Sequence, residues 1–465
     1  MKGKSLEKFW ENRMQRLNVK DILAATGGTL VCGVEDFEIF EITTDSRKAG
    51  ANMLFVPIVG DNNDGHDFIG SAFENGAETV ITHRDIPAIS GKNIIRVHDT
   101  RIAFGDIARY YKEKYNLPTV AITGSVGKTT TKDMISAVLA MKYNTLKTQG
   151  NFNNDIGLPI TVFRLEKKHE AAVLEIGMSH MGEIRYLASI AKPDVAVITN
   201  IGMSHIENLG SQENIYYSKL QICDFMDKDK LLIVNGDDEY LNRYFDKCRV
   251  IRCGIDNKKC DLVAENIENL GLDGTKFTVN IDGENHEIYV KIPGVHNVYN
   301  ALIAIAVGRH YNIPMQDIKD GIREFLLTGM RMEVKDFGGF TVINDCYNAS
   351  PDSMRAALAV LGDMKAKRKI AVLGDVFEMG SFAEKALYEV GLSIENIDMI
   401  VTVGENSRFI ARGANFAGIK DTKSFKTVEE AIVFLKENVK PQDAVLVKAS
   451  RGMKFERITE ALKTI

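Results

Sequence analysis

Residues 123–132 read TGSVGKTTTK and hold all the parts of a phosphate-binding loop except one. Gly124 and Gly127 let backbone N–H groups turn toward phosphate oxygens, Lys128 can reach the β- and γ-phosphates, and Thr129 offers a hydroxyl to Mg²⁺. The missing part is the first glycine of the common GxxxxGK[ST] pattern, whose position is filled by Ile122. The loop is a short form, and its owner must be read from its surroundings.

A nucleotide site with a metal also needs donors at strand ends. AAVLEIG (171–177) supplies Glu175, which breaks an apolar run where the strand's carboxyl end belongs. VAVITNIGMSHIENLG (195–210) supplies His205 in the loop after the next apolar run. Asn153, Asn154 and Gly157 in GNFNNDIGLPI offer amides and a flexible turn to a ligand carbonyl or phosphate. Each has a plainer alternative: a surface carboxylate, a loop histidine satisfied by its own neighbours, and an ordinary polar loop.

The elements that must position these residues follow from the pattern around them. TVAIT, AAVLEIG, DVAVITNI and KLLIVNG are continuous apolar runs of the kind buried on both faces of a parallel sheet. The helix after the loop carries apolar residues at Met134, Ile135, Val138 and Leu139. The polar stretch from Asp261 to Gly294 reads as antiparallel strands, and VYNALIAIAVGRHY as an apolar helix ending near Pro314. Before Leu117 short β-like runs alternate with helices, and after Leu327 FTVIND, KIAVLGD, MIVTVGE and AVLVKAS read as a Rossmann-like unit. The expected fold is α/β in three domains: 1–116, an α/β substrate domain; 117–326, a central P-loop ATPase on a parallel sheet; and 327–465, a Rossmann-like domain.

The bounds agree with a three-domain reading. A chain of 465 residues exceeds one ordinary core. With 58 Lys+Arg against 63 Asp+Glu it lacks the basic surplus that nucleic acid or an anionic membrane would call for. Six scattered cysteines form no CxxC pair and read as reduced thiols. The segment MKGKSLEKFWENRM alternates charged with apolar residues, and the longest apolar run, ALIAIAV, is too short to span a membrane. A soluble, cytoplasmic protein is expected. HRD at 83–85 and DFG at 336–338 are kinase words in the wrong places. NKKC at 257–260 misses the guanine-reading NKxD, which argues against the rival reading of a P-loop switch.

TGSVGKTT, NFNNDIG, LEIGMSHMGEI, TNIGMSHIENLGS, HNVYNALIAIAV, GMRMEV, NDCYNASPDSM and LGDVFEMG occur in this order. The series resembles the Mur ligases, ATP-dependent amide-forming enzymes of peptidoglycan precursor synthesis, and the match runs from Thr43 to Glu456. The family's phosphate loop is the short form. The resemblance implies ATP with two Mg²⁺ ions, and two small-molecule substrates, a UDP-muramoyl tripeptide and D-alanyl-D-alanine, used by a monomer. It makes Lys128, Glu175, His205 and Lys219 the catalytic set, with Thr129, Glu175, His205 and a carbamylated Lys219 holding metal. It extends the ATP site to Gly124, Ser125, Val126, Gly127, Thr130, Asn297, Asn300, Arg331 and Asp345.

For the substrates the resemblance points to Asp45, Ser46, Arg47 and His66, with Gly60, Asp64 and Gly65 in the same uridine-nucleotide segment. It adds Asn153, Asn154, Tyr347, Asn348 and Ser350, beside Ala349; Lys448, Ser450, Arg451 and Glu456 also match a family string, with strand-end and helix-cap chemistry as the equal alternative. Three readings of the residues alone stay open: Arg47 as a surface salt-bridge partner, Asn297 as a helix cap and Lys219 as an exposed lysine. Gln221 departs from the glutamate common at that position. A sibling ligase of the family, tripeptide-forming or folylpolyglutamate-forming, is the nearest rival. No residue stands out as the base for the incoming amine; His180 and His205 are chemically able.

Overall fold

Apolar runs without polar interruption become buried strands, and capped helices return the chain between them. The computed structural model describes residues 14–243, 245, 247–325 and 329–464. The expected boundary at 326/327 lies outside the described residues, as does most of the N-terminal segment. The described residues fall into two compact units: one up to Ala121 with Tyr143–Gly177 and Glu183–Asp194, the other Ile122–Lys142, Met178–Gly182 and the chain from Val195 onward.

The first unit holds a sheet ordered Thr29–Cys32, Asn93–Arg96, Thr79–Thr82, Met53–Phe55, Glu41–Thr43, parallel except for its first pair. Ala49, Phe55, Ile69, Ala72, Ala77 and Val80 pack as its core. Because Glu41–Thr43, Met53–Phe55 and Thr79–Thr82 run the same way, the loops after their carboxyl ends open at one sheet edge, the edge where parallel sheets bind ligands. The helix Thr100–Glu113 starts on Asp99, whose side chain accepts the N–H groups of Arg101 and Ile102. It packs on helices Gly157–Val162 and Glu183–Ala191. The contact is close: a Cβ on Gly105 would sit 1.8 Å from Tyr186 Oη. This packing draws Tyr143–Gly177 and Glu183–Asp194 into the unit, together with the parallel pair Thr145–Lys147 and Ala171–Glu175.

In the second unit Val195–Ile198, Leu231–Asn235, Arg249–Gly254 and Leu262–Asn269 pair in parallel. Thr275–Ile281 and Glu284–Val290 then continue antiparallel. Asp282 and Gly283 turn that hairpin with φ of 52° and 90°, a left-handed pair that Asp-Gly allows. The stretch read as antiparallel is so except at its start, where Leu262 pairs in parallel with Cys253. Helices Lys128–Ala140, His296–His310 and Met315–Glu324 pack on one another. A further sheet runs Glu333–Asp336, Thr341–Asn344, Asp443–Lys448, Arg368–Gly374, Met399–Val403, Asp421–Phe425, parallel after its first pair. Among the described residues no helix is long and apolar enough to cross a membrane.

Candidate active site

The wholly buried strand Thr119–Thr123 ends at Gly124, and the helix Lys128–Ala140 begins after Gly127. Gly124 has φ 151°, and a Cβ there would come 1.8 Å from Thr199 Oγ1, so no other residue fits. Asn200 shapes the loop: its carbonyl accepts the Ser125 N–H at 3.1 Å and its Oδ1 accepts the Val126 N–H at 2.9 Å. The Val126 carbonyl in turn accepts from Thr199 Oγ1 at 2.5 Å and Asn200 Nδ2 at 3.2 Å. The Ser125 and Val126 N–H groups are thus already engaged, which leaves the start of the helix, Gly127 to Thr130, as the anion-facing part of the loop. Lys128 Nζ donates to the carbonyls of Gly124 at 2.7 Å and Ser125 at 3.3 Å, folded over its own loop. Thr129 is buried in the first helical turn.

Lys219 lies in the last turn of the helix Gln212–Leu220, which Ser211 caps by accepting the Asn214 N–H at 3.2 Å. It is not the exposed lysine of the bland alternative: its relative exposure is 1%. It makes no ion pair among the described residues. Burial, and secondly the Lys128 charge, push its ammonium well below the ordinary lysine range. Gln221 follows with its Oε1 buried and without a hydrogen-bond partner among the described residues.

His205 holds φ 64° just ahead of the short helix Ile206–Leu209, and its Nδ1 meets Glu378 Oε2. That bond holds the Glu378 carboxyl below the usual carboxylate range.

Asn297 does not cap its helix. The helix begins at His296, and Asn297 Nδ2 donates back to the Pro293 carbonyl at 2.8 Å while its Oδ1 accepts from Asn300 Nδ2 at 2.9 Å. Asn300 Oδ1 accepts from Thr131 Oγ1 at 2.9 Å, so a buried polar ladder ties the phosphate-loop helix to the helix His296–His310. His296 Nε2 faces Asn297 Nδ2 at 3.1 Å. Burial holds the His296 imidazole down to about 4, against the Asp345 carboxylate, which raises it.

Asp345 accepts Lys448 Nζ at 2.5 Å and the Met332 N–H at 3.1 Å. Lys448 also donates to the Asn348 carbonyl at 3.1 Å. The Arg331 guanidinium lies 4.1 Å from the centre of the Tyr347 ring, and its Nε is buried with no acceptor among the described residues. Ser350 is committed to capping the helix Pro351–Asp363, exchanging bonds with Ser353. Arg451 pairs with Glu456 at 3.3 Å.

In the first unit Glu175 closes its strand with 2% exposure, and its Oε1 accepts Asn153 Nδ2 at 2.9 Å. Asn154 Oδ1 accepts the Gly157 N–H at 2.8 Å, which starts the next helix. Asp45 and Arg47 form a two-bond fork at 2.8 and 2.9 Å on an exposed turn, the salt-bridge geometry weighed for Arg47. The Arg47 bonds hold the Asp45 carboxyl down to about 2. Ser46 offers its carbonyl to Asn75 at 3.0 Å. Asp64 receives His66 Nδ1 at 2.6 Å and Arg84 at 2.5 Å. Burial opposes the Asp64 charge, yet the His66 and Arg84 bonds prevail and hold it near 2. These two groups open at the sheet edge described above.

Among the described residues no three or more His, Cys, Asp or Glu side chains gather into a ready-made metal cage. Asn200, Glu378 and His296 were missed by sequence reasoning, although each lies inside a string quoted above. Spacing alone does not show that they reach across to other loops.

Three family descriptions match the chain: "Mur ligase family, catalytic domain" over residues 38–112, "Mur ligase middle domain" over 122–308, and "Mur ligase, glutamate ligase domain" over 330–451. The UDP-N-acetylmuramoyl-tripeptide--D-alanyl-D-alanine ligase of Bacillus subtilis is 40% identical over 97% of this chain and 99% of its own. A crystal structure of MurF from Acinetobacter baumannii superposes with a TM-score of 0.90 at 30% identity, covering 97% of this chain and 100% of that one. MurF ligase from Thermotoga maritima in complex with ADP gives 0.81 at 26% identity, covering 91% and 97%.

Proposed function

The chain belongs to the Mur ligase family, and we propose that within it the protein is the ATP-dependent ligase that joins D-alanyl-D-alanine to UDP-N-acetylmuramoyl-tripeptide. The observation that carries the reading is full-length 40% identity to a ligase of that name in a chain whose phosphate loop is intact around Lys128. We assign the domains to 1–116 for the UDP moiety, 117–326 for ATP and 327–465 for closure over the nucleotide. The enzyme works as a cytoplasmic monomer.

The chemistry follows from charge. A tripeptide carboxylate must approach a triphosphate, anion against anion, and that repulsion is the main barrier. Lys128, released from its loop carbonyls, and the N–H groups at the helix start take up phosphate charge. Arg331, whose Nε has no acceptor among the described residues, reaches the phosphates, and Asp345 the ribose. Transfer of the γ-phosphate gives an acyl phosphate; the dipeptide amine attacks its carbonyl carbon, and inorganic phosphate leaves. Closure of the C-terminal domain keeps water from the acyl phosphate. Tyr347 and Asn348 border the dipeptide's path. Asp45, Ser46, Arg47 and His66 hold the UDP-sugar, and Asn153 and Asn154 line the substrate side.

The donors present suit Mg²⁺, which keeps waters and substrate phosphate oxygens and needs few protein ligands. Thr129, Glu175, His205 and carbamylated Lys219 are the residues that would hold it, and bound Mg²⁺ would screen the meeting anions. The Lys219 site fits the modification. A buried amine with no ion pair among the described residues, next to a second ammonium, is stabilised by becoming an anion that attracts Lys128.

Phosphate release from purified protein, ATP and Mg²⁺, run against a matrix of UDP-muramoyl peptides, dipeptides and folates, tests the assignment. Release is expected only with a tripeptide and D-Ala-D-Ala together. Turnover without the dipeptide, or with a folate, would sink it.

A further inference from the structure

Glu378 has no task in the reaction just derived. It lies in the loop after strand Arg368–Gly374, with φ 60°, a left-handed conformation that a glutamate keeps only when its surroundings hold it. Three bonds do so. Its carboxylate meets His205 Nδ1, its carbonyl accepts the Glu207 N–H at 3.2 Å, and its neighbour Phe377 donates its N–H to Ser450 Oγ at 2.9 Å. His205 is itself left-handed, at φ 64°. On the far side of the loop, a Cβ on Gly380 would stand 3.1 Å from Glu207 Cγ. Two strained residues from distant loops, His205 and Glu378, therefore meet through a side-chain bond, and the Glu207 N–H adds a main-chain bond beside it.

The pair does little for the core. The Glu378 side chain is 47% exposed and that of His205 25%, and ion pairs so placed contribute little to stability. Their geometry does something else. A histidine that donates from Nδ1 to a carboxylate presents its Nε2 lone pair outward in one fixed ring plane, and a carboxylate behind an imidazole is the usual means of orienting a metal ligand.

We propose that Glu378 is a positioning residue for His205: it sets the tautomer and ring plane with which His205 takes the nucleotide's divalent cation. Because Glu378 is carried by the loop after strand Arg368–Gly374, the cation is held tightly only while that loop is docked on residues 205–207. The inference rests on the ligase reading for the cation, and on the two loops for the geometry.

The test is Mn²⁺ titration, followed by electron paramagnetic resonance, of the full-length protein saturated with a non-hydrolysable ATP analogue. Glu378→Ala is expected to weaken Mn²⁺ binding about 10- to 100-fold, with an unchanged melting temperature. Glu384→Ala, which removes an exposed partner of Arg412, should bind like wild type. In a His205→Ala background, adding Glu378→Ala should change nothing further, since a residue acting only through His205 cannot act without it. Wild-type affinity in Glu378→Ala, or losses that add in the double variant, would overturn the proposal. Should Glu378→Ala fail to fold, Glu378→Gln carries the test, with a several-fold weakening expected and wild-type affinity as the refutation. A wild-type protein that binds analogue and Mn²⁺ but ligates nothing removes the substrate assignment and leaves this comparison standing.

Discussion

Lys219 is buried within the field of Lys128, two lysine side chains in one site, and the buried one makes no ion pair among the described residues. Burial and the like charge both favour a neutral Lys219 amine, the form that adds carbon dioxide. Lys219→Ala should cut kcat by about 100-fold or more, as loss of one preorganised charge in a closed site does. Short carboxylates such as formate or acetate should restore part of it. Steady-state rates with and without added carboxylate check this; an unaffected variant would remove Lys219 from the site.

Asn200 holds Val126 from both sides, accepting its N–H and donating to its carbonyl. Asn200→Ala leaves the Asn200 carbonyl bond to Ser125 but strips Val126 of two partners, at a cost of about 1–3 kcal/mol if the groups stay dry. The expected result is a raised KM for ATP and a lowered melting temperature, with the KM for the UDP-peptide unchanged. Equal ATP kinetics in wild type and variant would show that the loop keeps its shape without Asn200.

The His296 imidazole is held near 4 by burial, while an unfolded chain protonates it near the ordinary value of 6.5. The folded state therefore binds fewer protons between these values, and its stability falls as pH drops from about 6.5 to about 4. Below the folded value both states are protonated and this contribution stops changing. Above 6.5 it is fully present. Melting temperatures measured across that window should fall with pH in wild type, and His296→Gln should flatten the slope. A slope that survives the substitution would assign it to other groups.

Much of this site was legible because buried strands announce their ends. Glu175 stands at the carboxyl end of its strand, and Gly127 at the start of its helix, because an apolar run and an amphipathic helix leave few other places for them. Lys219 was not legible in the same way. Its helix has no marked apolar face, so burial of its last lysine is decided by what packs around it. The asparagine ladder was hidden for a related reason: Asn297 looks like a cap in sequence, and only the approach of the helix Lys128–Ala140 brings Thr131 to Asn300. In the first unit, Arg47 and Asp45 read as ligands by resemblance, and the spacing did not show that they form an exposed fork with each other.

Arg331 offers the sharpest test of how the nucleotide completes the site. Its guanidinium is stacked on Tyr347 while its Nε is buried with no acceptor among the described residues, an arrangement that leaves one directed donor for an incoming oxygen. Lysine keeps the charge but loses the planar stack and the fork. Arg331→Lys should therefore lower kcat by about 10- to 1,000-fold through lost stabilisation of the transferring phosphoryl group. Tyr347→Leu, which keeps the guanidinium and removes the ring it stacks on, should lose less kcat with the dipeptide saturating, on the order of the 0.5–2 kcal/mol of a cation–π contact. If charge alone mattered, the lysine variant would keep wild-type kcat; measured kcat for the two variants decides between charge and directed geometry.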